Sequence, residues 1–188
     1  MNKARVEQIT DGIIAIAATI MVLQMKLPSV NGWEGLAENW HVFLAYVISF
    51  LLIWIAWAMH HDLFQKASIL SKRAYMINGI WTLALTLIPF TTAWIGSAPD
   101  AFLPAFLYPL NLLMWSAAFQ WLSHQMQKDN PDSAGGGFSK SPAKALIYMI
   151  YALCMILAFI KPILSIFLTG ASTVARFAGM YSAGTRKQ

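Results

Sequence analysis

Six stretches of the chain are apolar for long enough to cross a bilayer, near residues 10 to 27, 40 to 59, 76 to 96, 102 to 122, 144 to 160 and 162 to 179. A hydrocarbon layer of about 30 Å takes roughly 20 such residues per helix. No water is present there to pair with a free N–H or C=O, so each stretch must close its own backbone hydrogen bonds as a helix. An all-α membrane protein of six transmembrane helices follows. Composition agrees: 58% of the 188 residues are hydrophobic and only 11% charged, too little charged surface for a soluble domain. Only Lys161 and Pro162 separate the last two stretches, which read as a tight hairpin.

The basic residues set an orientation, since Lys and Arg in short loops stay on the cytoplasmic side. With six spans and an inside N-terminus, Lys3, Arg5, Lys66, Lys72, Arg73, Lys128, Lys140, Lys144, Arg176, Arg186 and Lys187 fall inside. Lys26 and Lys161 alone fall outside. The net charge of +5 is then a topology signal and an attraction to anionic membrane lipids, not a nucleic-acid footprint. Both termini are expected in the cytoplasm of a prokaryotic cell.

No segment is long and polar enough for a separate soluble domain, so residues 1–188 read as one membrane domain. The longest connection, "QKDNPDSAGGGFSKS" at 127 to 141, lacks the Gly-Lys-Ser/Thr ending of a phosphate loop and reads as a flexible linker. The first span begins like a secretory signal, but Asp11 interrupts it and no small-residue cleavage site follows Leu27, so a retained helix is expected. Pro89, Pro104 and Pro109 predict kinks that neighbouring helices must satisfy. Trp33, Trp40, Trp94 and Tyr108 fall near the expected boundaries, where amphipathic rings anchor at the headgroups. The one cysteine, Cys154, excludes an intrachain disulfide and reads as a small buried residue.

The first span carries the chemistry. Ile16, Ile20, Leu23 and Leu27 follow the i, i+4, i+7, i+11 spacing of one helix face, with Thr19 beside them, while Gly12, Ala15 and Ala18 thin the adjoining surfaces. Such a stripe ordinarily faces lipid or another helix. At its inner end Glu7 and Asp11 are like-charged i, i+4 neighbours, and Arg5 lies about 240° around the helix from Asp11, off its face. Asp11 therefore needs a partner from another helix or subunit, and His60 at the end of the second span and Asn78 at the start of the third are the candidates. A purely structural polar clamp is an open alternative to a functional site. Adjacent His60 and His61 point to different sides of a helix and no third ligand is evident, so no metal is expected.

"RVEQITDG" followed by "AIAATIMVLQMKLP" resembles the first-helix signature of the transmembrane protein 175 family of potassium channels. That signature is Arg, three variable residues, Phe-Ser-Asp-Gly, and an alanine- and isoleucine-rich helix ending near a proline. Arg5, Asp11 and Gly12 stand at its positions, Ile9 replaces the Phe, and Thr10 replaces the Ser while keeping its hydroxyl. "WAMHH" and "PFTTAW" are similar to later blocks of the family. The resemblance implies a homotetramer of the single-repeat prokaryotic branch, with the first helix of each subunit lining a central path for potassium ions. It also implies that Ile16 forms the narrowest apolar ring, Ile20 and Leu23 further layers, and Thr19 a hydroxyl position beside the constriction.

A leak-type, potassium-selective channel is the expected function, with Arg5, Thr10, Asp11, His60 and Asn78 as an assembly or gating cluster. No cofactor is expected beyond the permeant potassium. A proton-coupled secondary transporter would use Asp11, His60 and His61 as a relay and break its helices at the prolines, but the middle of the membrane lacks charge. A noncatalytic assembly protein needs only a lipid-facing first helix. No nucleophile with its base appears, so an enzyme is not expected.

Overall fold

The computed structural model describes residues 2–133 and 142–185, all of whose regular elements are helical. They are α1 (Lys3–Leu23), α2 (Trp33–Glu38), α3 (Trp40–Lys66), α4 (Lys72–Thr86), α5 (Ile88–Ser97), α6 (Phe102–Asp129), α7 (Pro142–Leu157) and α8 (Ile163–Thr185), with a 3-10 turn at Pro131–Ser133. Among the described residues five spans are long and apolar enough to cross a membrane: α1, α3, α4 with α5, α6, and α8 as far as Met180. The expected fifth span is shorter, its apolar part running Ala145–Leu157. Lys140, Arg186, Lys187 and the linker glycines Gly135, Gly136 and Gly137 lie outside the described residues.

Helix α1 starts and stops earlier than its apolar run. The side chain of Asn2 accepts from the Arg5 N–H at 3.3 Å, an N-cap that begins the helix in the polar segment. At the other end Gln24 turns back onto Ile20 and Pro28 follows, which disfavours helical continuation. Leu27 thus leaves the stripe expected of it and is 92% exposed beyond the helix. The short helix α2, between the first two spans, has no counterpart in the periodicity.

Helices α3 and α6 form the middle of the bundle. On one flank α1 lies against α3, α4 and α5; on the other, α7 and α8 pair with each other and pack on α6 and α3. The core between them holds Leu52, Ala56, Phe64, Trp81, Leu85, Leu112, Trp115 and Phe119, all at most 1% exposed.

The prolines behave in three ways. Pro104 sits in the first turn of α6, where its missing N–H removes no bond, so the kink expected there has no cause. Pro109 lies inside α6 and frees the Ala105 carbonyl, which accepts from Ser165 Oγ of α8 at 3.0 Å. Pro89 begins α5, and the third span is broken between Thr86 and Ile88. Asn111 of α6 fills that break: with the amide turned to satisfy both its ends, it donates to Ala84 O at 3.1 Å and accepts from Ile88 N at 3.2 Å. Tyr108, expected as a headgroup anchor, is instead fully buried, bonded to Ser49 Oγ at 2.8 Å; Thr92 donates to that same Ser49 at 2.7 Å. A phenol ringed by helices finds its partner inside the bundle rather than at the interface.

One end of the bundle is laced by side chains onto helix termini. Lys3 Nζ donates to Phe64 O and Ala67 O, both at 2.8 Å, capping the last turn of α3. Asn130, after α6, accepts from Ser68 N and Ile69 N and donates to Ile69 O and Met126 O. Ser71 caps α4 and donates to Asp129 at 2.6 Å. The start of α1, the end of α3, the start of α4 and the end of α6 therefore share this basic end.

Candidate functional site

Helix α1 is covered on one side only. Val6, Thr10, Ile14, Ala17 and Met21 recur every three or four residues and are buried against the bundle. The opposite stripe is uncovered: Ile9 is 59% exposed, Ile16 58%, Ile20 38% and Leu23 80%, with Arg5, Gly12 and Thr19 also exposed. A helix turns about 100° per residue, which puts Arg5, Ile9, Gly12, Ile16, Ile20 and Leu23 within a narrow arc. The Thr19 hydroxyl donates to its own helix at Ile16 O, 2.9 Å away, leaving its oxygen lone pairs outward on the flank of the stripe.

Three residues of the expected polar cluster meet on the covered side of α1. Thr10 Oγ1 donates to Val6 O at 2.9 Å and accepts from Asn78 Nδ2 at 3.0 Å. Asn78 Oδ1 is 3.0 Å from His60 Nε2. Because the Asn78 amide gives its N–H to Thr10, its oxygen must accept, so His60 carries its proton on Nε2. His60 Nδ1 is left buried with no partner among the described residues. The imidazole is held in place by stacking, 4.2 Å from the Phe64 ring and 4.9 Å from Trp81 at an interplanar angle of 7°. One connected run of hydrogen bonds thus ties α1 to α4 and α4 to α3.

Asp11 does not join it. One residue past Thr10, it is rotated toward α3, where it shares a groove with Trp57. Its Oδ1 is buried and unpaired among the described residues. Asp11 stands at the rim of an apolar groove of about 250 Å³ lined by Ala15, Ala18, Phe50, Ile53 and Trp54. The expectation that His60 and Asn78 would face Asp11 is therefore corrected: the 100° step between neighbouring helical residues turns Thr10, not Asp11, to Asn78, and His60 reaches α1 only through Asn78. Arg5 is exposed, and among the described residues no ion pair joins it to Asp11. His60 and His61 do diverge, His61 Nδ1 lying 3.2 Å from Glu7 Oε1. Among the described residues no three His, Cys, Asp or Glu side chains converge as a metal site would require.

Residues 5–89, which carry α1 through the start of α5, match the family model described as the endosomal/lysosomal potassium channel TMEM175. A potassium channel of Chryseobacterium sp. (strain P1-3) is 36% identical over 124 residues, 66% of this chain and 65% of that one. A potassium channel of Streptomyces collinus is 31% identical over 131 residues, 65% of this chain and 64% of that one. The crystal structure of a lysosomal potassium-selective channel TMEM175 homolog from Chamaesiphon minutus superposes with a TM-score of 0.79 at 25% identity, over 94% of this chain and 96% of that chain. Over residues 5–89 in sequence, and over most of its length in fold, the chain is similar to TMEM175 channels. It spans just under two thirds of the length of the curated relatives it matches. The TMEM175 signature positions Arg5, Asp11 and Gly12 all lie within the matched residues, and the superposition carries the all-helical fold well past them, over α6 to α8. TMEM175 is a family of membrane-embedded ion channels, not of enzymes.

Several residues that build this site escape pattern reading. Trp57, which faces Asp11, is one tryptophan among eight and carries no spacing signal. Asn111 and Ser165 do carry one, as lone polar residues inside apolar runs, where a polar group must find a partner. Glu7 and His61 sit 54 positions apart, a pairing no local period reveals.

Proposed function

We propose that the whole chain, residues 1–188, is one subunit of a homotetrameric potassium-selective channel of leak type in a bacterial membrane, with both termini cytoplasmic. The observation that carries this reading is the one-sided cover of α1: the Ile16, Ile20 and Leu23 stripe is bare while the opposite face is packed. Four such stripes around an axis bury apolar surface that one subunit leaves open. Ile16 then forms the tightest ring, Ile20 and Leu23 the next layers, and Thr19 offers a hydroxyl oxygen beside them.

An apolar ring has no oxygens to replace the hydration shell, so an ion crossing it must carry or rearrange its water, and the ring closes by dewetting when it is narrow enough. Potassium releases its water more readily than sodium, which makes such a ring selective without ligands. The Thr10–Asn78–His60 run fixes the rotation of α1, and hence the direction in which Ile16 points. Arg5 and the unpaired Asp11 oxygen are left for contacts between subunits. A proton-coupled carrier would need titratable groups linked across the membrane; the inner run instead ends on the Val6 carbonyl, and the Ser49–Thr92–Tyr108 network consists of hydroxyls.

The test is a planar-bilayer recording of purified protein under potassium and sodium gradients, wild type against Ile16→Asn. A wetted ring should pass more current and discriminate less against sodium. Unchanged conductance and reversal potential in the variant would overturn the assignment of Ile16, and saturable solute counterflow without single-channel steps would overturn the channel.

A further inference from the structure

Arg176 of α8 lies among apolar and neutral groups with no acid beside it. Its Nη1 donates to Tyr151 Oη at 3.1 Å, its Nη2 lies 3.8 Å from Met59 Sδ, and its Cζ stands 6.0 Å from the Trp115 ring centroid. None of these carries negative charge. Among the described residues the one cation–carboxylate contact is Glu7 with His61, so no carboxylate reaches the guanidinium. Asp129, at the same end of the bundle, accepts from Ser71 and Gln125. Residues 134–141 and 186–188 contain no Asp or Glu to supply the missing charge.

The position makes the lone charge unfavourable. Met59 precedes Lys66, the end of α3, by seven residues, so Arg176 lies about 10 Å inward of the helix ends, where an unpaired cation is costly. Beside it a small cavity of about 70 Å³ opens between α6 and α7, with Ser116 and Tyr148 on its wall. That is room for a tetrahedral anionic group and little more. Elsewhere on α7 and α8 apolar side chains are exposed, Leu146 and Met149 on the first and Val174 and Phe177 on the second. Lys3, Arg5, Lys66, Lys72, Arg73 and Lys128 surround the same end, which raises the local concentration of anionic lipid.

We propose that Arg176, in the cleft of α6, α7 and α8, binds the phosphate of an anionic phospholipid whose acyl chains lie along the exposed faces of α7 and α8. The guanidinium fork matches a phosphate, and no carboxylate among the described residues occupies it. The site lies on the flank opposite α1 and stands apart from the pore reading, requiring only that the chain be embedded in a bilayer.

Native mass spectrometry of the full-length protein in mixed micelles of phosphatidylglycerol and phosphatidylcholine tests this. Wild type should retain phosphatidylglycerol preferentially, and Arg176→Gln should lower that retention about tenfold, the worth of one charge-assisted contact. Lys66→Gln with Lys128→Gln, which weakens only the general attraction of the basic end, should keep it. Equal retention of both lipids by wild type, or an equal loss in the lysine double variant, would overturn the proposal. Millimolar inorganic phosphate that displaced the lipid fully would assign the cleft to a free anion instead. Should Arg176→Gln fail to assemble, thermal unfolding of the wild type answers: stabilisation by phosphatidylglycerol over phosphatidylcholine supports the site, and no difference refutes it.

Discussion

Replacing Asn78 by leucine isolates the link that fixes the rotation of α1. Leucine branches at Cγ as asparagine does but is bulkier, so at a site only 4% exposed some crowding adds to the loss of the polar bonds. Two bonds disappear, to His60 Nε2 and to Thr10 Oγ1, each 3.0 Å long. Thr10 keeps its bond to Val6 O, so that arm costs about 0.6 kcal/mol, the average for a bond between membrane helices. His60 is worse placed: its Nδ1 already lacks a partner, and losing Nε2 leaves a fully buried ring unpaired at about 1–3 kcal/mol. The sum is about 2–4 kcal/mol, or on the order of 5–10 °C in Tm for a chain of this size. Thermal unfolding in detergent, followed by tryptophan fluorescence, measures it. Because the cost comes from stranding His60, adding His60→Phe, which can still stack between Phe64 and Trp81, should return at least half the loss. An Asn78→Leu protein as stable as wild type, or a double variant no better than the single, would refute the reasoning.

The same logic reaches other positions. Ser165→Ala removes the donor to the Ala105 carbonyl that Pro109 leaves free, and should cost about 1 kcal/mol in unfolding stability; a variant restoring an N–H at 109, Pro109→Ala, should abolish that cost. Gly170→Ala sets a Cβ 2.7 Å from Ile48 Cδ1, the free end of a side chain that must rotate aside at about 1 kcal/mol, and Ile48→Val deletes that methyl and should raise the variant's Tm in the same melt.

Much of this architecture can be read from the chain. The spans show as apolar runs, and the bare face of α1 follows from the 3.6-residue period that groups Ile16, Ile20 and Leu23. Helix ends are harder, because caps rather than hydropathy set them: Asn2 draws α1 out to Lys3, and Pro28 holds it back from Leu27. The polar cluster shows a second limit. His60 and Asn78 are visible as partners in need, yet whether they meet Thr10 or Asp11 depends on one 100° step, which packing against α3 and α4 decides. Tyr108 misleads in the same way, since its place near a span end suggests the interface while Ser49, 59 residues away, captures its hydroxyl inside. Pro89 announces the break in the third span, but not that Asn111 fills it.

That break divides the loyalties of one membrane crossing. Helix α4, which holds Asn78, leans mainly on α6, whereas α5 leans mainly on α3 and carries Thr92 into its hydroxyl network. The two halves of the crossing thus answer to different neighbours, with Asn111 bridging the joint. Through Asn78 and Thr10 the rotation of α1 is tied to the half that leans on α6.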